Sequence, residues 1–208
     1  MAALGRPMKS NPMRSALFAA WILFAVVVAL AFFLDRRIWA LDASVIGLVM
    51  GGVYLLRRTL NLTLFIFILI VGVGLAHSFA VTGLYGMSFF GVEYDSYIHT
   101  YATIVLGIAS YHYMRKFRVS VFEAAAVGLL LTMGFGLLNE FVEFAGYRIG
   151  GRGEGLFLLG PGDIGAENAF ENLMTDFLHD FYGGAVGVSL SLLWHVFHRR
   201  GHERRIGE

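Results

Sequence analysis

The sequence predicts an all-α polytopic membrane bundle of six helices with both termini in the cytoplasm. Three observations predict it. Hydrophobic residues make up 57% of the 208 residues, and only 15% are charged. The apolar residues gather in runs about 20 long, the length at which an α-helix crosses a bilayer. Lysine and arginine concentrate in alternate connections between those runs. The whole chain, 1–208, reads as one integral membrane domain, with no room for a separate soluble one.

The first span is expected over about 15–34. It follows Arg6, Lys9 and Arg14, as a cleaved leader would. Its apolar run is too long for a leader, and Ala29-Leu30-Ala31 lies inside the run rather than after it, so the span reads as retained. The second, 38–56, contains Asp42, which is expected at the outer interface beside Arg36 and Arg37. The third, 62–82, carries His77 near its end. The fourth, 96–114, is rich in tyrosine and holds His99 and His112. The fifth, 120–143, ends on Asn139, Glu140 and Glu143. The sixth, 172–196, is interrupted early by Asp176, His179 and Asp180. Gly183, Gly184 and Gly187 suit close helix packing there, as Gly134 and Gly136 do in the fifth.

Twelve cationic residues flank the ends assigned to the cytoplasm, namely Arg6, Lys9, Arg14, Arg57, Arg58, Arg115, Lys116, Arg118, Arg199, Arg200, Arg204 and Arg205. Four lie on the other side: Arg36, Arg37, Arg148 and Arg152. That split sets the expected orientation, a multi-pass protein of a bacterial inner membrane. His195, His198 and His202 then fall in a basic tail facing anionic lipid. A long outer loop is expected over 144–171, with eight glycines among four acids. Loops of that length are connectors or binding loops.

With this topology His77, Asp95, His99, Glu140, Glu143, Asp176, His179 and Asp180 all come to the outer half of the bundle. An Asp near a helix centre costs roughly 2.5–3.5 kcal/mol to insert, so such groups mark function by default. Spacing agrees. Asp95 and His99 are four apart and share a helix face, and Glu140 and Glu143 are three apart and share another. The bland alternatives are a helix cap for Asp95, solvated headgroup-level acids for Glu140 and Glu143, and a structural role for His77. The functional alternatives are a divalent metal held by oxygen and nitrogen ligands, general acid–base work or a proton relay. Cysteine is absent, so thiolate ligands and disulfides are excluded. No HExxH pattern specifies a metalloenzyme.

Four motifs resemble those of VanZ-like membrane proteins, and especially of the related YjdF-type inner-membrane proteins, across about residues 90–190. Asp95-Ser96-Tyr97-Ile98-His99 resembles their D-x-x-x-H. Asn139-Glu140-Phe141-Val142-Glu143 resembles their acidic motif, with Asn139 where an acid is common. Asp176 or Asp180, with Gly183-Gly184-Ala185-Val186-Gly187, resembles their Asp- and Gly-containing ending. Leu159-Gly160-Pro161-Gly162-Asp163 resembles the Gly-Asp stretch of the YjdF-type loop, and the resemblance implies a substrate contact for Asp163. It also implies a cell-envelope role; VanZ-like proteins are associated with glycopeptide tolerance.

The expectation is an outward-facing acidic and histidine pocket. In it Glu140, Asp180 and Asp95 are catalytic, and Glu143, Asn139 and Asp163 contact substrate. His99, His179, Asp176 and His77 hold a divalent metal, with Zn²⁺ the first choice. The expected activity is hydrolysis or binding of a lipid or lipid-linked envelope substrate. The expected partners are membrane lipids and a lipid-linked or small-molecule substrate, not nucleic acid. The rivals are a small proton-coupled transporter and a non-catalytic scaffold with a structural polar network.

Overall fold

A computed structural model of the protein describes residues 11–150 and 169–206. It is an all-α bundle. Helix α1 spans Pro12–Phe33, α2 Arg37–Leu56, α3 Leu64–Phe79, α4 Tyr94–Arg115, α5 Val121–Gly150 and α6 Ala169–Ile206. Two 3-10 turns, Ala80–Thr82 and Leu84–Gly86, and a two-stranded hairpin, β1 Ser88–Phe89 and β2 Val92–Glu93, connect α3 to α4.

Local chemistry explains the boundaries. Asn11 caps α1 by accepting from the Met13 amide, with Pro12 as the first helical residue. Thr63 caps α3 by accepting from the Ile66 amide. Ser120 and Glu123 cap α5 reciprocally, each side chain accepting from the other's amide. The hairpin turns through Phe90 and Gly91, at φ 55° and 79°. Such a turn needs left-handed backbone at both central positions.

The helices pack as two groups of three. In one, α1, α2 and α3 close around Leu17, Phe24, Ile46, Met50 and Phe67. In the other, α4 is sandwiched between α5 and α6 and also touches α3. Glycines allow α4 and α6 to meet backbone to backbone. A Cβ at Gly107 would sit 2.8 Å from the Gly184 carbonyl oxygen. One at Gly187 would collide with the carbonyl of Ile104, and one at Gly183 with Thr103 and Thr100.

The surface is apolar where a water-soluble bundle would be polar. On α6, Leu178, Phe181, Val186, Leu190, Leu193 and Phe197 are exposed, repeating every three to five residues. Among the described residues, α1, α2, α3 with its following turn, and α5 are long and apolar enough to cross a membrane. Helix α4 is too rich in polar residues to qualify. Its packing explains why: a helix enclosed by neighbours meets little lipid, so it can carry Asp, His and Thr inward.

Of the stretch 144–171 expected as an outer loop, both described ends are helical, and 151–168 lie outside the described residues. Residues 144–150 continue α5 and 169–171 begin α6, because nothing in 144–150 breaks the helix until the glycines accumulate. Asp42 is not an isolated interfacial acid. It is 3% exposed and bonded to His77, since α2 and α3 pack with these residues facing.

Candidate functional site

Helix α4 supplies the centre of the site. Glu93 is its N-cap residue, and its side chain makes no capping bond. Asp95 lies in the first turn and is therefore not the cap, and its carboxylate is free to point along the helix face it shares with His99. The His99 carbonyl accepts from the Thr103 hydroxyl at 2.7 Å, so that polar group is satisfied within the helix.

His99 is 7% exposed and surrounded by acids from three helices. Its Nε2 is 3.8 Å from Asp95 Oδ2 on the same helix and 3.9 Å from Glu140 Oε1 on α5. Its Nδ1 is 3.1 Å from Asp180 Oδ1 on α6. Asp176, one turn before Asp180, is 3% exposed and joins from the same helix. One donor atom each from Asp95, His99 and Asp176 lies within 4.8 Å of the others, and the same holds for His99, Glu140 and Asp180. Donors at about 2.0–2.2 Å from a tetrahedral ion lie roughly 3.3–3.6 Å apart, so either trio would have to draw together to close on a divalent ion.

Asp180 is the most enclosed member, 1% exposed. Its Oδ2 is buried and has no hydrogen-bond partner among the described residues. That oxygen lies against Gly136, where any Cβ would overlap it. Gly136 therefore holds the space that the second carboxylate oxygen fills. A buried carboxylate oxygen without a donor is costly, and a bound cation or a proton would offset it.

The other expected residues are placed differently. Asn139 donates to Glu143 Oε1 at 2.7 Å, one turn along the same helix, so these two form their own pair beyond Glu140. His179 stands beside the cluster but turns its Nδ1 to the Thr100 hydroxyl at 3.1 Å. It belongs to neither trio. His77 also stands outside both. Its Nε2 meets Asp42 Oδ2 at 3.0 Å and its Nδ1 meets the Tyr85 hydroxyl at 2.6 Å. The helix register explains both: His179 is 100° around α6 from Asp180, and His77 faces α2. Asp163 lies outside the described residues.

Sequence reasoning missed Tyr85, Thr100 and the role of Gly136. Thr100 follows His99 directly, so its side of α4 could have been read from period alone. Tyr85 sits in a 3-10 turn, where no helical period applies.

No curated protein and no solved structure matches the chain. A family model described as "Predicted membrane protein (DUF2238)" matches residues 15–199, a stretch that includes every residue of the cluster, and the chain belongs to that family.

Proposed function

We propose that the protein is a divalent-cation-dependent membrane enzyme, a hydrolase acting on the headgroup of a lipid or lipid-linked envelope substrate. The observation that supports this reading is the buried donor set around His99: one imidazole and four carboxylates delivered by α4, α5 and α6. Nitrogen and oxygen donors without sulfur suit Zn²⁺, Mn²⁺ or Fe²⁺. Bundle cores hold such ions with carboxylates from facing helices. A cation held there would acidify a bound water and supply a nucleophile near neutral pH.

His99 is common to both trios, so it is the fixed ligand in this reading. Asp95 and Asp176 complete one arrangement, and Glu140 and Asp180 the other. One of the two carboxylates left unligated serves as the base that takes a proton from water. Asn139 and Glu143, one turn along α5, contact the substrate. An amphiphile fits the surroundings, because Phe141 on α5 and Leu178 and Phe181 on α6 expose apolar surface beside the site.

Orientation belongs to the same proposal. Asn61 donates to the His112 carbonyl and Lys116 to the Thr59 carbonyl, which gathers Arg57, Arg58, Arg115 and Lys116 at one end of the bundle. A basic end of this kind faces the cytoplasm by the positive-inside rule, and the cluster then faces outward in a bacterial inner membrane. The likeness of the motifs to VanZ-like proteins adds to an envelope role without specifying the reaction.

Elemental analysis of the purified protein tests the cation directly. Near-stoichiometric zinc, manganese or iron is expected, with most of it lost in Glu140→Gln and Asp180→Asn proteins that keep the wild-type helical content. Wild-type protein that neither carries a transition metal nor binds added Zn²⁺ would end the reading.

A further inference from the structure

The end of the bundle opposite the carboxylate cluster carries a cationic cleft. From His99 to Lys116 along α4 is about 25 Å, and there α4 meets the loop between α2 and α3. Asn11, Met13, Arg57, Arg58, Asn61 and Leu62 line an open cleft of about 440 Å³ between this loop and the start of α1. Small-ligand sites occupy about 300–1,000 Å³. The lining offers two guanidiniums and two carboxamides, and no carboxylate.

The two cations are not neutralised. Among the described residues neither Arg57 nor Arg58 has an acidic partner. Arg57 is nevertheless held in place. Its guanidinium lies 4.0 Å from the centroid of the Tyr54 ring, and its Nη1 donates to the Tyr54 carbonyl at 2.7 Å. A guanidinium has five N–H donors in a fork that matches two oxygens of a phosphate, so most of them remain. Asn11 spends its Oδ1 on the Met13 amide, which leaves its Nδ2 to donate. The loop itself is fixed. The Arg57 carbonyl accepts from the Leu62 amide at 2.8 Å, Asn61 donates to the His112 carbonyl at 3.1 Å, and Lys116 donates to the Thr59 carbonyl at 3.1 Å. Arginines on a loop pinned in this way have little left to order on binding.

Apolar surface adjoins the cleft. Met13 and Leu62 belong to its lining, and Leu55, Leu56 and Phe65 are exposed on the turns of α2 and α3 that lead into the loop. We propose that the cleft binds the phosphate of an anionic phospholipid, with Arg57 and Arg58 on its oxygens and the acyl chains along Leu55, Leu56 and Phe65. Basic pockets between transmembrane helices take such headgroups. A soluble phosphate leaves the apolar surface unused. A zwitterionic headgroup brings the same phosphate together with an ammonium that the arginines repel. The orientation argued above sets this end in the cytoplasmic leaflet, but the donors of the cleft depend neither on it nor on the cation reading.

Native mass spectrometry of the full-length protein, released from detergent micelles doped with phosphatidylglycerol or phosphatidylcholine, tests the site. A phosphatidylglycerol adduct is expected to survive removal of the detergent, and a phosphatidylcholine adduct is not. Arg58 makes no side-chain hydrogen bond or ion pair with a described residue, so Arg58→Gln should fold normally and cut the adduct about fivefold or more. Arg57→Lys keeps the charge and loses the fork, so it should weaken retention as well. Arg118→Gln removes one charge at the same end but outside the cleft, and should hold the lipid as the wild type does. Equal losses in Arg118→Gln and Arg58→Gln would assign the effect to the overall charge of that end and overturn the site, and so would equal retention of the two lipids. Displacement of phosphatidylglycerol by an equal concentration of inorganic phosphate would assign the cleft to a soluble anion and overturn the lipid. Should Arg57→Lys lose the wild-type circular dichroism, Arg58→Gln decides alone.

Discussion

His99 Nδ1 and Asp180 Oδ1 stand 3.1 Å apart although 81 residues separate them in the chain. The glycines of α6 make this approach possible. Gly183, Gly184 and Gly187 lie one to two turns beyond Asp180 and let the backbones of α4 and α6 touch, which fixes the depth and rotation at which Asp180 meets His99. Packing and chemistry are thus coupled along a single helix pair.

Replacing Gly187 with Ala therefore acts at a distance. The added methyl would collide with the Ile104 backbone, which cannot yield as a flexible side chain can. The helices must separate, and the His99–Asp180 contact lengthens with them. The expected result is a loss of about 1–3 kcal/mol in detergent stability, read from thermal unfolding, together with weaker Zn²⁺ binding. Gly52→Ala is the matched control, because nothing lies within 4 Å of a Cβ there.

Gly136 and Gly134 make a sharper pair, two residues apart on one helix. A methyl at position 136 overlaps the Asp180 carboxylate, while one at 134 meets nothing within 4 Å. Gly134→Ala should leave binding intact and raise the melting temperature slightly, since Ala is favoured over Gly within a helix by about 1 kcal/mol. Gly136→Ala should displace Asp180 and weaken Zn²⁺ binding at least tenfold. Calorimetric titration of both variants decides it, and identical affinities would show that Asp180 does not need that space.

Much of this was legible from the residues alone. Helices α1 to α4 begin and end within a few residues of the apolar runs, because apolar runs and breaker residues act locally, whereas α5 and α6 run on to Gly150 and Ile206. Asp95, His99, Glu140, Asp176 and Asp180 were legible as one group because burial of acids in apolar helices leaves few options other than convergence. The rotations were not legible. His99 and His179 both read as metal ligands, yet one is central and the other turns to Thr100. Asp42 and His77 illustrate the same gap. Their pairing depends on how α2 meets α3, and helix periodicity says nothing about which neighbour a face will find.

Asp180→Ala isolates the energetic role of the central contact. Removing the carboxylate leaves His99 Nδ1 buried without its α6 partner, a loss of about 1–3 kcal/mol. Asp180→Asn keeps the shape and a hydrogen-bonding group, so its melting temperature should stay near that of the wild type while its cation affinity falls. If both variants melt and bind like the wild type, the 3.1 Å contact has no consequence for either property.

Cation removal should lower stability by mass action. A ligand that binds only the folded state stabilises by about 2.7 kcal/mol at one hundred times its dissociation constant. Chelator-treated protein is expected to melt several degrees lower than protein in excess Zn²⁺. The difference should vanish in a Glu140→Gln, Asp180→Asn double variant. A difference that persists in the double variant would place the binding elsewhere in the chain.

The Tyr85 hydroxyl sets a limit on alkaline stability. Burial first, and then the charges of Asp95, Glu143 and Asp42, raise its pKa in the folded protein well above the ordinary value of 10.0. The folded state therefore holds this proton more tightly than the unfolded chain does. Its contribution to stability is fully present below pH 10.0 and is lost as the pH rises from there towards the folded-state value. Tyr85→Phe has no proton to lose, so its stability should fall less steeply above that pH than the wild type's, even though it begins lower for want of the bond to His77. Denaturation followed between neutral and strongly alkaline pH should show the two curves converging. Parallel curves would mean that Tyr85 ionises as readily in the folded protein as in the unfolded chain.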